Sequence, residues 1–195
     1  VLSWLFLSEI AARADILDSI KLGAAPSEAA HLFSGDQSEI IPGGIGESAR
    51  RLLPPATSNW EGGRVSFTLR VDPRQQKDFT ARFWGSDATR DMLILFCDGK
   101  QIGYRHLGDV EVLDIGGGSP PFPGRFFYNT MPLPIGLTLG KTNLDFEVRS
   151  TGPVWPYATS FGQYQKPMTE PTRGLYNFYT HTNGEFIPAA QKRSE

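Results

Sequence analysis

Three stretches between Val65 and Val148 alternate apolar and polar side chains step by step. Val65, Phe67, Leu69 and Val71 alternate with Ser66, Thr68 and Arg70. Phe79, Ala81 and Phe83 alternate with Thr80, Arg82 and Trp84. Leu144, Phe146 and Val148 alternate with Asp145, Glu147 and Arg149. A period of two puts one face of each segment in a core and the other in water, which is the pattern of a half-buried strand. No helical period interrupts these stretches, so the sheet they form needs no crossover helices. Antiparallel layers packed face to face are the architecture that follows.

Met92-Leu93-Ile94-Leu95-Phe96-Cys97 is continuously apolar and too short for a helix, so it reads as a strand covered on both faces. Asp98-Gly99 follows directly. A type I′ hairpin turn needs positive φ at both central residues, and this dipeptide supplies them. Lys100-Gln101-Ile102-Gly103-Tyr104 is then the return strand. Val110 and Val112, with neighbours up to Ile115, read as another; Phe126-Phe127-Tyr128 is a further strand, and Met131-Pro132-Leu133-Pro134 an extended apolar edge. About seven strands in roughly ninety residues predict an all-β, antiparallel jelly-roll sandwich over 60–150.

The flanks read differently. Leu2, Leu5, Phe6, Glu9, Ile10, Arg13, Ile16, Leu17 and Ile20 recur mostly three and four apart, which predicts an amphipathic N-terminal helix over 1 to about 22. Ala12-Arg13-Ala14 also has the form of a signal-peptidase site, but no basic region precedes it. Ser27 to His31 reads as a short helical turn, and the remainder of 1–59 as loop. Residues 151–195 are rich in Pro, Gly and aromatics with little periodicity, which predicts an irregular tail packed on the sandwich or on a neighbouring domain or chain.

Composition removes several function classes. Hydrophobic residues make up 39% and aromatics 12%, enough for a core. The net charge of -2 and the lack of a basic block argue against nucleic acid as partner. No apolar stretch is long enough to span a membrane. The glycine-rich Ile40 to Gly46 lacks the Gly-Lys-Ser/Thr ending of a phosphate loop. The single cysteine, Cys97, excludes a disulfide within the chain and reads as a buried core thiol.

Leu93 to Gly103 resembles the "strand, Asn/Asp-Gly-Lys, x, hydrophobic, Gly" hairpin of galactose-binding-like jelly rolls. Gly140 to Val148 is similar to the closing strand of the same domains. The resemblance covers about residues 60–150 and implies a galactose-binding-like β-sandwich. A broader resemblance is carried by Glu47 to Pro54, Phe83 to Asp87, Gly103 to Asp109 and Gln165 to Pro171. These look like the N-terminal region of large exported glycoside hydrolase-like proteins, whose catalytic part lies further on and is longer than this chain can contain.

No catalytic constellation is read from the residues. Asp87, Asp91, Asp98, Asp109, Glu111, Asp114 and Glu170 are available as carboxylates, but Asp87 and Asp98 sit at turns that favour Asp for backbone reasons. His31, His106 and His181 lack metal-ligand spacing, no nucleophile elbow is present, and no cofactor is called for. Sugar rings pack on aromatic faces while their hydroxyls take polar side chains. On that logic the candidate substrate-binding residues are Trp84, Trp155, Tyr157 and Tyr164 as platforms, with Arg105, His106 and Asp109 as polar partners. The competing reading of the aromatics is packing, and of the polar run a structural ion-pair cluster. The expected function is a non-catalytic module or chain of an exported, periplasmic or extracellular, carbohydrate-active enzyme. Its partners are carbohydrate and another domain or chain of that enzyme. The alternative is a free-standing carbohydrate-binding or assembly protein.

Overall fold

A computed structural model describes residues 16–87, 89, 92–105, 124–153 and 165–186 of the chain. The elements in chain order are β1 (Ile16–Lys21), α1 (Ala25–Ala30), β2 (Ser34–Asp36), β3 (Ser38–Pro42), β4 (Ser48–Leu52), β5 (Glu61–Arg70) and β6 (Asp78–Trp84). Then come β7 (Met92–Cys97), β8 (Lys100–Arg105), β9 (Phe126–Pro132), α2 (Ile135–Thr138), β10 (Asn143–Thr151) and β11 (Leu175–His181). They build two antiparallel sheets. The first runs β3-β4-β11-β6-β9, with β1 also paired to β11; the second runs β2-β5-β10-β7-β8. The expected antiparallel two-sheet sandwich is the architecture observed.

Register explains the core. Phe146 lies opposite Phe67 on one side and Cys97 on the other, and Val148 lies between Val65 and Leu95. All six point inward and are buried. The first sheet answers with Phe79 and Phe178. Across the gap Phe67 stacks on Phe178 at 5.1 Å between ring centroids, and Phe79 meets Phe146 at 5.0 Å, within the range of favourable aromatic pairs. The β7 run is buried at every position but Phe96, as a continuous apolar strand requires. Cys97 is fully buried, and burial pushes its thiol up to about 11, so it behaves as a small hydrophobe.

The hairpin between β7 and β8 forms as its residues dictate. Asp98 has φ 47° and Gly99 φ 74°, the positive pair of a type I′ turn. The Asp98 carboxylate also accepts the Asp145 N–H at 2.9 Å and the Lys141 ammonium at 2.5 Å. One side chain therefore turns the chain and ties the hairpin to β10.

Three expectations are corrected. The remainder of 1–59 is not loop throughout: β2, β3 and β4 lie within it and join the two sheets, because β2 pairs with β5 and β4 with β11, both outside that stretch. The N-terminal helix is not what Ile16–Lys21 forms: this stretch is β1, paired along β11. Ile20 faces inward opposite Phe178 and is fully buried, and the Leu22 N–H donates to the Tyr176 carbonyl at 2.8 Å. The same apolar spacing serves a strand once an open sheet edge offers hydrogen bonds, and that tertiary demand overrides a short helical pattern. Residues 1–15 lie outside the described residues. The tail is not irregular over Leu175–His181, which is β11, with β6 on one side and β1 and β4 on the other. Its Leu-Tyr-Asn-Phe-Tyr-Thr-His run is buried on both faces except at Tyr179, so it shows no alternation to read. The expected strand over Val110 to Ile115 lies outside the described residues. No described helix is long and apolar enough to cross a membrane.

Because Phe178 contacts rings of both sheets, Phe178→Ala is expected to lower the unfolding free energy by about 3–5 kcal/mol. Urea denaturation followed by fluorescence measures it, and a loss below about 1 kcal/mol would contradict the central place given to β11.

Candidate functional site

The outward faces of the sheets differ in what they leave free. On the first sheet, Arg82 forks onto Glu47 at 2.7 and 3.1 Å and donates to Asn177 Oδ1 at 3.0 Å. Its guanidinium stands 3.5 Å from the Phe126 ring centroid. Burial opposes the charge on Glu47, but the Arg82 fork and Lys21 outweigh it and hold the carboxyl below the usual range. Phe186 packs on Tyr128, Tyr179 and His181 at 5.3, 4.8 and 5.0 Å. His181 is fully buried, with Nδ1 donating to the Asn183 carbonyl and Nε2 accepting from the Thr80 hydroxyl, both at 2.7 Å. Burial pulls its ring below the ordinary histidine value. Burial also drives the Tyr176 and Tyr179 hydroxyls up to about 12, so neither serves as a base near neutrality. This face is spent largely on its own packing.

Trp84 belongs to it. Alternation correctly puts Trp84 outward, opposite Phe126. The indole meets the Phe126 ring edge-on at 4.9 Å. Its other neighbour is the Gly43-Gly44 backbone: a Cβ added at Gly44 would collide with the indole, and the Gly44 N–H donates to the Tyr176 hydroxyl at 2.7 Å. The glycines that failed as a phosphate loop are what allow this close approach.

On the second sheet a polar groove of about 680 Å³ stays open, lined by Asp18, Ala30, His31, Leu32, Thr68, Arg70, Asn143 and Asp145. The β5–β10 register aligns Asn143 with Arg70 and Asp145 with Thr68. Leu69 and Leu144 are buried beneath, so the pleat sends these four side chains outward. The Thr68 hydroxyl donates to Asp145 at 2.7 Å. One wall comes from β1 and α1. Asp18 accepts the Arg70 and Ser19 N–H groups, each at 2.9 Å, and lies 3.2 Å from His31 Nε2. His31 Nδ1 donates to the Ser27 carbonyl at 2.6 Å. Burial opposes the Asp18 charge, but these donors outweigh it and hold the carboxyl below its ordinary value.

Leu32 stands at the rim, 77% exposed, with φ 52°. A leucine in left-handed backbone is uncommon, and such a residue persists only where its surroundings hold it. Here the Phe33 N–H returns to the Glu28 carbonyl at 3.1 Å, and the His31 carbonyl accepts the Thr68 N–H at 2.9 Å. Glu28 is itself clamped by Arg50 at 2.5 and 2.8 Å. The groove therefore joins donors and acceptors on the sheet face to one apolar side chain held out in water. It offers hydrogen bonding without an activated nucleophile. Among the described residues, no three His, Cys, Asp or Glu side chains come together as a metal site.

Of the sequence candidates, Arg105 ends β8, with its side chain outside the described residues. His106, Asp109, Trp155, Tyr157 and Tyr164 also lie outside them. Asp87 and Asp98 serve backbone groups, Asp87 accepting the Gly174 N–H at 3.0 Å. The groove residues Asp18, His31, Arg70, Asn143 and Asp145 were not among the candidates. Alternation marks Thr68, Arg70 and Asp145 as outward, but only the cross-strand register brings them beside Asp18 and His31.

The sequence matches no protein-family model and no curated protein. Among solved structures, the chain is similar to a family 35 carbohydrate-binding module from an environmental isolate, at 10% identity and a TM-score of 0.48, over 87% of this chain and 98% of that one. It is similar to a carbohydrate-binding module of Cellvibrio mixtus lichenase 5A in complex with cellotriose, at 8% identity and a TM-score of 0.45, over 86% and 98%. It is also similar to an exo-β-1,3-galactanase from Phanerochaete chrysosporium, at 13% identity and a TM-score of 0.44, over 87% of this chain and 29% of that one.

Three groups with displaced titration make stability depend on pH in acid: His181, Glu28 and Glu47. His181 is held neutral, below the ordinary value of 6.5, whereas the unfolded chain takes up that proton near 6.5. Its contribution is therefore complete above about pH 6.5 and falls as the pH drops. Glu28 and Glu47 are held below their ordinary 4.5, so their contribution is complete above that value and is lost as the pH falls through their folded values. The melting temperature is expected to fall in two stages on acidification, and His181→Gln to flatten the first. Scanning calorimetry from pH 7.5 to 3.5 reads both; an unchanged first stage in that variant would remove His181 from the account.

Proposed function

We propose that the chain is a non-catalytic, galactose-binding-like jelly roll that binds glycan through the groove on β5 and β10. It works as a module of an exported glycoside hydrolase whose catalytic residues lie in another domain or chain. The single observation that supports glycan binding is the groove itself. Each sugar hydroxyl both donates and accepts, so a glycan site needs mixed partners at close spacing. Arg70 and the Asn143 amide donate; Asp145, the Asn143 carbonyl and the Thr68 oxygen accept, and Leu32 offers an apolar edge to a C–H face. With Asp18 and Asp145 opposed by Arg70, a neutral sugar fits better than a uronate.

The test is binding of a panel of neutral oligosaccharides and polysaccharides, by calorimetry and affinity electrophoresis. Asn143→Ala and Asp145→Ala are each expected to weaken binding about tenfold or more, as loss of one or two bonds to sugar hydroxyls does. Trp84→Ala and Arg105→Ala run beside them as tests of the other candidate surfaces. Full binding by both groove variants, with loss in Trp84→Ala or Arg105→Ala, would overturn the groove in favour of those residues. No binding by the wild-type chain to any glycan would overturn the function.

A further inference from the structure

The core is not closed equally on its two sides. Toward β1, β4 and β5, inward residues are sealed: Leu22, Leu52, Val65, Leu69 and Leu175 are all 0% exposed. Toward β6 and β7, Phe79, Phe83, Ala81 and Leu95 keep 3, 5, 7 and 8%. The exposure has a source. Edge strands β8 and β9 face each other across the two sheets without pairing, and behind them a cavity of about 190 Å³ enters the space between the sheets. Its walls include Phe79, Ala81, Phe83 and Phe178 from one sheet and Leu95 and Val148 from the other. At its mouth stand Gly103 of β8 and Asn129, Thr130 and Met131 of β9. A Cβ added at Gly103 would collide with the end of Met131, so the missing side chain lets Met131 lie across the opening.

We propose that this cavity is a second binding site, distinct from the groove, for one neutral aromatic ring of the phenol class. Three properties select that class. Cavities of about 150 Å³ lined by Leu, Ile and Phe stay dry and take up benzene, and this one is of similar size and chemistry. Three phenylalanines offer edges and faces to a ring at favourable spacing. A sugar would leave most of its hydroxyls without partners inside, at a cost that forbids it. One polar end is provided for: Asn129 faces inward at the mouth opposite Ala81, and its amide can meet a phenolic hydroxyl. The Thr130 hydroxyl is already bonded to Thr80 at 2.7 Å.

The probe is p-cresol, titrated into the full chain by calorimetry and by methyl NMR. Saturable one-to-one binding with a Kd of about 1 mM or tighter is expected for a ligand this small. At ten times Kd the melting temperature should rise by about 3–6 °C. Shifts should concentrate on the Ala81, Leu95 and Val148 methyl groups, a readout that needs no variant. Ala81→Leu adds three carbons to the lining and should weaken p-cresol at least tenfold, while Asn143→Ala in the groove should leave it unchanged. The proposal is overturned by absence of saturable binding, by shifts on Thr68 in place of the core methyls, or by undiminished binding to folded Ala81→Leu. Because glycan binding is scored separately with Asn143→Ala, either site can fail without the other.

Discussion

The structure depends on β11 being driven between two neighbours by the burial of both its faces. Inward, Phe178 stacks on Phe67 of the opposite sheet and touches Phe79 of its own. Outward, Tyr176 and His181 are sealed by Phe126, the Gly43-Gly44 backbone and Phe186. A strand covered this way satisfies its backbone groups only by pairing on both edges, and it does so with β6 on one edge and with β1 and β4 on the other. Both flanks of the chain are thereby recruited into one sheet, and Ile20 and Leu52 reach the same core as Val148.

That arrangement divides the labour of the outer faces. On the first sheet, polar groups are neutralised internally: Arg82 answers Glu47 and Asn177, and His181 is closed into a Thr80–Thr130 chain. These bonds satisfy groups taken out of water, although Arg82 Nε is buried without a hydrogen-bond partner among the described residues. On the second sheet, β5 and β10 lie in the interior of the sheet, and among the described residues Arg70, Asn143 and Asp145 are exposed. Pairing on both edges fixes the backbone of these two strands beneath the outward side chains.

The groove and the inter-sheet cavity are opposite solutions on one scaffold. The groove is polar and built outside the pleat; the cavity is apolar and built between the pleats. Each takes its chemistry from the side of β5, β10 or β6 that forms it. The same strand thus contributes Leu69 to the core and Arg70 to the groove, one residue apart.

Sequence alone determined what strict local rules determine. The alternation of Val65 to Val71 and Leu144 to Val148 set which side chains face oil and which face water, and Asp98-Gly99 set a tight turn, because pleat and turn geometry act over two to four residues. The continuous run Met92 to Cys97 was legible as a strand for the same reason. The strand character of Ile16–Lys21 and Leu175–His181 was not. Ile16, Leu17 and Ile20 fit helix and strand alike, and β11, buried on both faces, has no period. Only the tertiary structure decided these, through backbone hydrogen bonds to strands that lie far away in the chain. The groove follows the same division: outward Thr68, Arg70 and Asp145 were written in the pattern. Their meeting with Asp18 and His31 required the fold, because cross-strand register and the seating of α1 are long-range properties that no local stretch encodes.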